Sequence, residues 1–227
     1  MKLPLPFLLS ALVIPSMYAD IAPRPPEKPA APATPAAEVV KQDFQKLEVG
    51  ALPDELMVIE GAFEIVADGE NKVLQLGVEP MTEGGVLVGK SLKNGGTVKA
   101  KIKASSKRRS FPRIAVGLGG TSGYRFRVVP AEKIVEFVKE DARIAKADFA
   151  WKTDAWYWVE LNIAPAKEAG KWAIEGRLWE DGQARPEAAT LTFSSDVAPP
   201  NGKASVWGAP FSEKPIQFDD VEIKPAP

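Results

Sequence analysis

The run WYWVELNIAP (156–165) decides the secondary-structure class of the chain. Its side chains alternate with a period of two. Tyr157, Val159, Leu161 and Ile163 fall on one face; Trp156, Trp158, Glu160 and Asn162 fall on the other. A helix would scatter the four apolar residues around its axis instead of gathering them. The stretch reads as a strand with one face on a core and a polar, aromatic face turned away from it.

The same reading extends in both directions. In KWAIEGRLWED (171–181), Trp172, Ile174 and Leu178 share the apolar face, and Glu175, Arg177 and Trp179 face away. In YRFRVVP (124–130), Tyr124, Phe126 and Val128 point inward, and Arg125 and Arg127 outward. AFEIVAD and KVLQLGV flank the turn DGEN (68–71), and GGVLVGKSL and GTVKAKIKAS flank KNG. With RIAVGLGG, KIVEFVKE, RIAKADFA, ATLTFSSD, ASVWGA and IQFDDVEIK, roughly a dozen strands are predicted, the spacing of a β-sandwich. The expected fold class is all-β, a two-sheet jelly-roll sandwich. PDELMV (53–58) is the one candidate for a helical turn. GLGGTSG (117–123) reads as a hairpin turn rather than a phosphate loop, because no Gly-Lys-Ser/Thr follows and no helix is signalled.

Ahead of these strands, MKLPLPFLLSALVIPSMYAD combines Lys2, an apolar stretch Phe7–Ile14 and a small residue at Ala19, the pattern of a signal peptide over residues 1–19. The apolar run is too short and proline-broken for a good membrane span. Residues 20–38 form a Pro/Ala-rich linker. A single domain is expected over 39–227, in an exported protein, periplasmic or extracellular, with possible association with the cell envelope.

The chain has no Cys and no His. That removes lipobox anchoring, Ser–His and Cys–His nucleophile systems, and zinc sites built on imidazole or thiolate. The balance of 29 Lys+Arg against 30 Asp+Glu excludes a generally basic, polyanion-coating protein. One stretch stands out locally: VKAKIKASSKRRSFPR (98–113) carries seven basic residues and no acid. Alternation turns Lys99, Lys101 and Lys103 to solvent, and SSKRRS forms a charged hairpin tip that discourages edge-to-edge pairing. Without a nucleic-acid-binding motif or aromatic interleaving beyond Phe111, no nucleic-acid partner is expected. An acidic polysaccharide or an anionic envelope surface stays open as a partner of Lys107, Arg108 and Arg109.

The outward residues of three strands suggest a sugar site: a ring's C–H face stacks on Trp, and its hydroxyls take directional hydrogen bonds. The expected ligand contacts are Arg125, Arg127, Trp158, Glu160, Asn162, Glu175, Arg177 and Trp179, on one shared sheet face. Placement on opposite outer surfaces would defeat that single platform. The alternative is that the Arg–Glu pairs are cross-strand salt bridges.

Gly61-x-Phe63, GYRFRV, WKTDAWYWVELNI, GRLWEDGQ and the terminal FDDVEI together resemble the concanavalin A-like lectin/glucanase superfamily. More closely, they are similar to bacterial exported domains of the laminin G-like and 3-keto-disaccharide hydrolase type. The resemblance covers nearly the whole domain. It implies a jelly roll with one curved sheet face that binds carbohydrate, and it keeps open a sugar hydrolase using Glu160 and Glu175 as acid and base. The Glu-x-Asp-x-(x)-Glu strand motif of the family-16 glycoside hydrolases is absent. No cofactor is expected. Asp219 and Asp220 offer oxygen ligands of the kind calcium takes, but without a cluster of partners no metal is expected. A third alternative is a module recognising protein in the envelope, which requires a large apolar patch.

Overall fold

The computed structural model describes residues 39–226 except Ala51 and Pro80. The expected signal peptide and linker lie outside the described residues. Strands follow in the order β1 (Val40–Gln42), β2 (Met57–Glu60), β3 (Phe63–Asp68), β4 (Asn71–Leu76), β5 (Gly84–Leu92), β6 (Gly96–Ala104), β7 (Arg113–Leu118) and β8 (Tyr124–Val129). They continue as β9 (Ile134–Lys139), β10 (Ala142–Asp148), β11 (Trp156–Pro165), β12 (Trp172–Glu180), β13 (Leu191–Ser195), β14 (Gly202–Ala209) and β15 (Ile216–Pro225).

Two antiparallel sheets result. The eight-stranded sheet has the order β13-β12-β11-β6-β15-β4-β3, with β1 paired along the second half of β15. The seven-stranded sheet has the order β10-β9-β8-β7-β14-β5-β2. The chain therefore builds an all-β sandwich. Alternation is kept along the strands: Tyr157, Val159, Leu161 and Ile163 of β11 and Tyr124, Phe126 and Val128 of β8 are all buried in one core between the sheets. Within that core, Gly176 of β12 faces Phe126 of the other sheet. A Cβ there would stand 2.5 Å from the ring, so the two layers approach this closely only because the residue is glycine.

Local turn chemistry also follows the sequence. Asp68 pairs with Asn71 around Gly69 and Glu70, and Gly69 takes the left-handed φ of 68° that a two-residue hairpin turn requires. GLGGTSG joins the paired strands β7 and β8 through a short 3-10 turn, Gly120–Ser122.

Two readings need correction. PDELMV does not form a helical turn: Asp54 and Glu55 make a turn, and Met57 opens the edge strand β2. The β-branched residues Val58 and Ile59 favour extension over a lone helical turn. The lysines of β6 do not guard an edge either. β6 is interior, with β11 on one side and β15 on the other, so Lys99, Lys101 and Lys103 are hemmed in by neighbouring side chains. Among the described residues, no helix is long and apolar enough to cross a membrane.

Candidate functional site

The outward face of the eight-stranded sheet is organised by strand register. Lys103 of β6 stands opposite Trp156 of β11. In the next rung, Lys101, Trp158 and Trp179 lie side by side on β6, β11 and β12. Lys99, Glu160 and Arg177 form the third rung, and Thr97, Asn162 and Glu175 the fourth. Six of the eight expected ligand contacts thus share one surface, at cross-strand distances that let their side chains touch.

The other two do not. Arg125 and Arg127 project from β8, which belongs to the other sheet, and their face is the opposite outer surface of the sandwich. Alternation along a strand separates core from surface but says nothing about which sheet the strand joins, so the single eight-residue platform is not formed. Arg125 instead stacks on Trp207, its guanidinium carbon 4.0 Å from the ring centroid, and pairs with Glu83 and with Asp141 at 3.6 Å. Arg127 binds Glu136 at 2.6 Å and Glu83 at 3.5 Å. Glu136 is 0% exposed and also receives Arg143, which reaches Glu132 at 2.9 Å. For Arg127 the cross-strand salt-bridge alternative describes the geometry, with Glu136 its register partner on β9, whereas Arg125 pairs with acids in the connections before β5 and β10.

Trp158 and Trp179 are stacked, with centroids 6.1 Å apart and planes 16° from parallel. The Lys99 ammonium lies 4.4 Å from the Trp158 ring centroid, and Lys101 is 5.8 Å from it. Trp158 thus contacts both a cation and a second ring, a cation–π and stacking ladder across three strands. Its Nε1 donates to Asp181 at 2.9 Å, and Asp181 also pairs with Lys101 at 3.3 Å. Trp179 itself is half-buried, and among the described residues Trp158 is its one aromatic partner. Trp156 carries Lys103 and Lys101 at 5.4 and 5.7 Å.

Beside the ladder, charges are paired. Glu160 is only 4% exposed, and both its oxygens are held by Arg185, at 2.8 Å from Nε and 2.5 Å from Nη2. Arg177, 8% exposed, stands 3.6 Å from Glu160 and 3.0 Å from Glu175, so one guanidinium sits between the two carboxylates. Thr97 donates to the Asn162 side-chain oxygen at 2.8 Å. Glu222 of β15 takes Lys99 at 3.2 Å and Lys41 at 3.4 Å. Between these groups lies a cleft of about 220 Å³ lined by Val39, Thr97, Lys99, Glu160, Arg185, Glu222 and Lys224.

Sequence reading missed Arg185, Glu222 and the β6 lysines. Arg185 sits in the β12–β13 connection, where no periodicity marks it. The others depend on β6 lying between β11 and β15, a non-local pairing.

Asp219, at the bulge of β15, has its titration displaced: burial raises it above the ordinary aspartate value. The Asn71 side-chain amide and the Asp220 backbone N–H, each donating at 2.8 Å, oppose that rise. Both oxygens are thus engaged, and among the described residues no group of three or more acidic, His or Cys side chains is placed to hold a metal ion. Because the folded state holds this proton more tightly than the unfolded chain, its contribution is greatest below the ordinary aspartate value. It is lost as pH rises through the raised one. Asp219→Asn is expected to remove that slope. Urea unfolding of both proteins between about pH 3 and about pH 7 tests it, and a stability difference independent of pH would refute the assignment.

No family model and no curated protein matches this chain. Solved structures do. The chain is similar to the carbohydrate binding module CBM66 from Bacillus subtilis, at 15% identity over 74% of this chain and 93% of that one, with a TM-score of 0.51. It is similar to Crh5 transglycosylase in complex with NAG, at 12% identity over 84% and 85%, with a TM-score of 0.56. Lectin II from Ulex europaeus aligns at 9% identity over 82% and 97%, with a TM-score of 0.51. Together with the two antiparallel sheets, these likenesses establish that the chain has the concanavalin A-like β-sandwich fold.

Proposed function

We propose that this protein binds carbohydrate on the outer face of its eight-stranded sheet. The observation that carries the reading is the juxtaposition of the Trp158–Trp179 stack with the polar cleft between Glu160–Arg185 and Lys99–Glu222. The half-buried Trp179 ring suits the C–H face of a sugar ring, and the paired charges retain lone pairs and N–H groups for hydroxyls. A neutral polyol can join such a network without leaving a charge unpaired, which a charged ligand of either sign would disturb. Export, read from the first nineteen residues, puts extracellular or envelope glycans within reach, with residues 39–227 as the binding domain.

The hydrolytic alternative, a 3-keto-disaccharide hydrolase using Glu160 and Glu175, is less well supported. Glycoside hydrolysis needs room for the scissile bond or a water between an acid and a base. Here Arg177 stands between the two carboxylates, and Arg185 occupies both oxygens of Glu160. The protein-recognition alternative would use Met57, Val58 and Ile59, exposed on the edge strand β2. They lie in the other sheet, away from the Trp ladder.

Trp179→Ala is expected to weaken binding of a neutral glycan by about tenfold, the scale of one lost aromatic contact. A glycan array identifies the ligand, and titration calorimetry of the hit against wild type and variant measures the loss. Unchanged affinity in the variant, or an array with no bound glycan, would remove this reading.

A further inference from the structure

Strand register fixes how far apart the two halves of the sugar site stand. Trp179 of β12 lies opposite Trp158 of β11, which lies opposite Lys101 of β6. The polar cleft is built further along the strands. Lys99 faces Glu160 on one side and Glu222 on the other, and Lys224 stands opposite Thr97 in the following rung. The cleft is therefore centred on β6, two strands across from Trp179 and more than one rung along. With strands about 4.8 Å apart and a rise of about 3.4 Å per residue, that offset is roughly 14 Å. A single pyranose ring is scarcely wider than one strand spacing, so no monosaccharide reaches from Trp179 into the cleft.

The surface between the two is polar and accessible. Glu160 lies on the rung between those of Trp179 and Thr97, and Arg185 reaches it from the β12–β13 connection. Arg185 commits Nε and Nη2 to the Glu160 carboxylate. Its Nη1 has no partner among the described residues, and the side chain is 48% exposed. N–H donors thus stand at the surface on the path from the ring to the cleft. In the cleft itself, Val39, 43% exposed, offers an apolar wall, and Thr97, Glu222 and Lys224 offer acceptors and donors for hydroxyls.

We propose that the ligand is a linear, extended oligosaccharide of at least three sugar residues, bound as one chain across β12, β11 and β6. One residue stacks on Trp179, the next lies over Arg185, and a third enters the cleft, where its hydroxyls bond to Thr97, Glu222 and Lys224. This chain length rests on the carbohydrate reading of the face and deepens it. An isolated sugar meets one anchor only. A chain joins both, because the linkage holds its second residue at a high effective concentration over the second anchor.

The test is titration calorimetry of the full chain with extended neutral ligands, the β-1,4-linked gluco-, xylo- and manno-oligosaccharides of one to six units. In a series that binds, affinity is expected to rise about tenfold between the disaccharide and the tetrasaccharide and then to level off, with one ligand per protein. Trp179→Ala is expected to flatten that rise to about twofold or less. Thr97→Val removes a cleft hydroxyl with little change of shape, and is expected to weaken tetrasaccharide binding several-fold while the melting temperature is kept. The length series in the wild type needs no variant to fold. Equal affinity from monosaccharide to hexasaccharide would overturn the single chain, as would two monosaccharides bound per protein with no gain on linking them. Full tetrasaccharide affinity in Thr97→Val would overturn it too, and all three results leave the carbohydrate reading standing. Absence of binding in all three series would also overturn it, and a positive glycan array would then keep the broader reading alone.

Discussion

Glu136→Gln is expected to lower the unfolding free energy by about 3–5 kcal/mol, although it keeps the side chain's size. Glu136 is fully buried on the outward face of the seven-stranded sheet, beneath Arg127 and Arg143. Its carboxylate serves both guanidiniums, and an amide can accept from one while presenting N–H groups to the other. Arg127 would keep only Glu83, at 3.5 Å, and would remain largely out of water. The cost is therefore that of an orphaned buried charge rather than the modest value of a surface pair. Urea unfolding measures it, and a loss below about 1 kcal/mol would show the network to be effectively solvated. A companion double variant, Arg127→Met/Glu136→Leu, is expected to recover most of the stability, because it removes both charges together.

Glu160→Gln is the second large effect, and it separates two functional readings. Glu160 is held by Arg185 and faces the buried Arg177. Losing its charge leaves Arg177 with Glu175 and the Glu187 carbonyl, while the more exposed Arg185 can turn to solvent. The expected cost is about 3 kcal/mol, at the lower end of the range for a broken buried pair. For a domain of this size that corresponds to a fall of roughly 6–12 °C in Tm. Glycan affinity should fall with it, because the cleft loses its Glu160–Arg185 wall. A catalytic acid or base would behave differently: the variant would keep its stability and lose only turnover. An unchanged Tm with abolished hydrolysis would therefore reverse the proposal made for this face.

How far these features could be read in advance varies with how local they are. Gly69 and its neighbours specify a hairpin turn within four residues, and the turn is found. The alternation in WYWVELNIAP assigns four residues to the core and four to the surface, and each points to the side the pattern gives it, although Glu160 on the outward side is buried. Arg125 and Arg127 show where locality ends. Their outward direction was readable; the sheet whose outer surface they join was not. The lysines of β6 give the complementary case: facing outward did not mean facing water, because β11 lies alongside and brings Trp156 and Trp158 over them.

What the chain encodes residue by residue is therefore the strand, its inward and outward faces, and its turns, since these follow from backbone stereochemistry and a two-residue period. Only the tertiary structure decided which strands became neighbours, and with that the composition of the site. Pairing β6 with β11, or seating Arg185 on Glu160, requires closing long loops among many strands of similar local preference. The winning arrangement is set by the sum of packing across two sheets, a quantity no single segment carries.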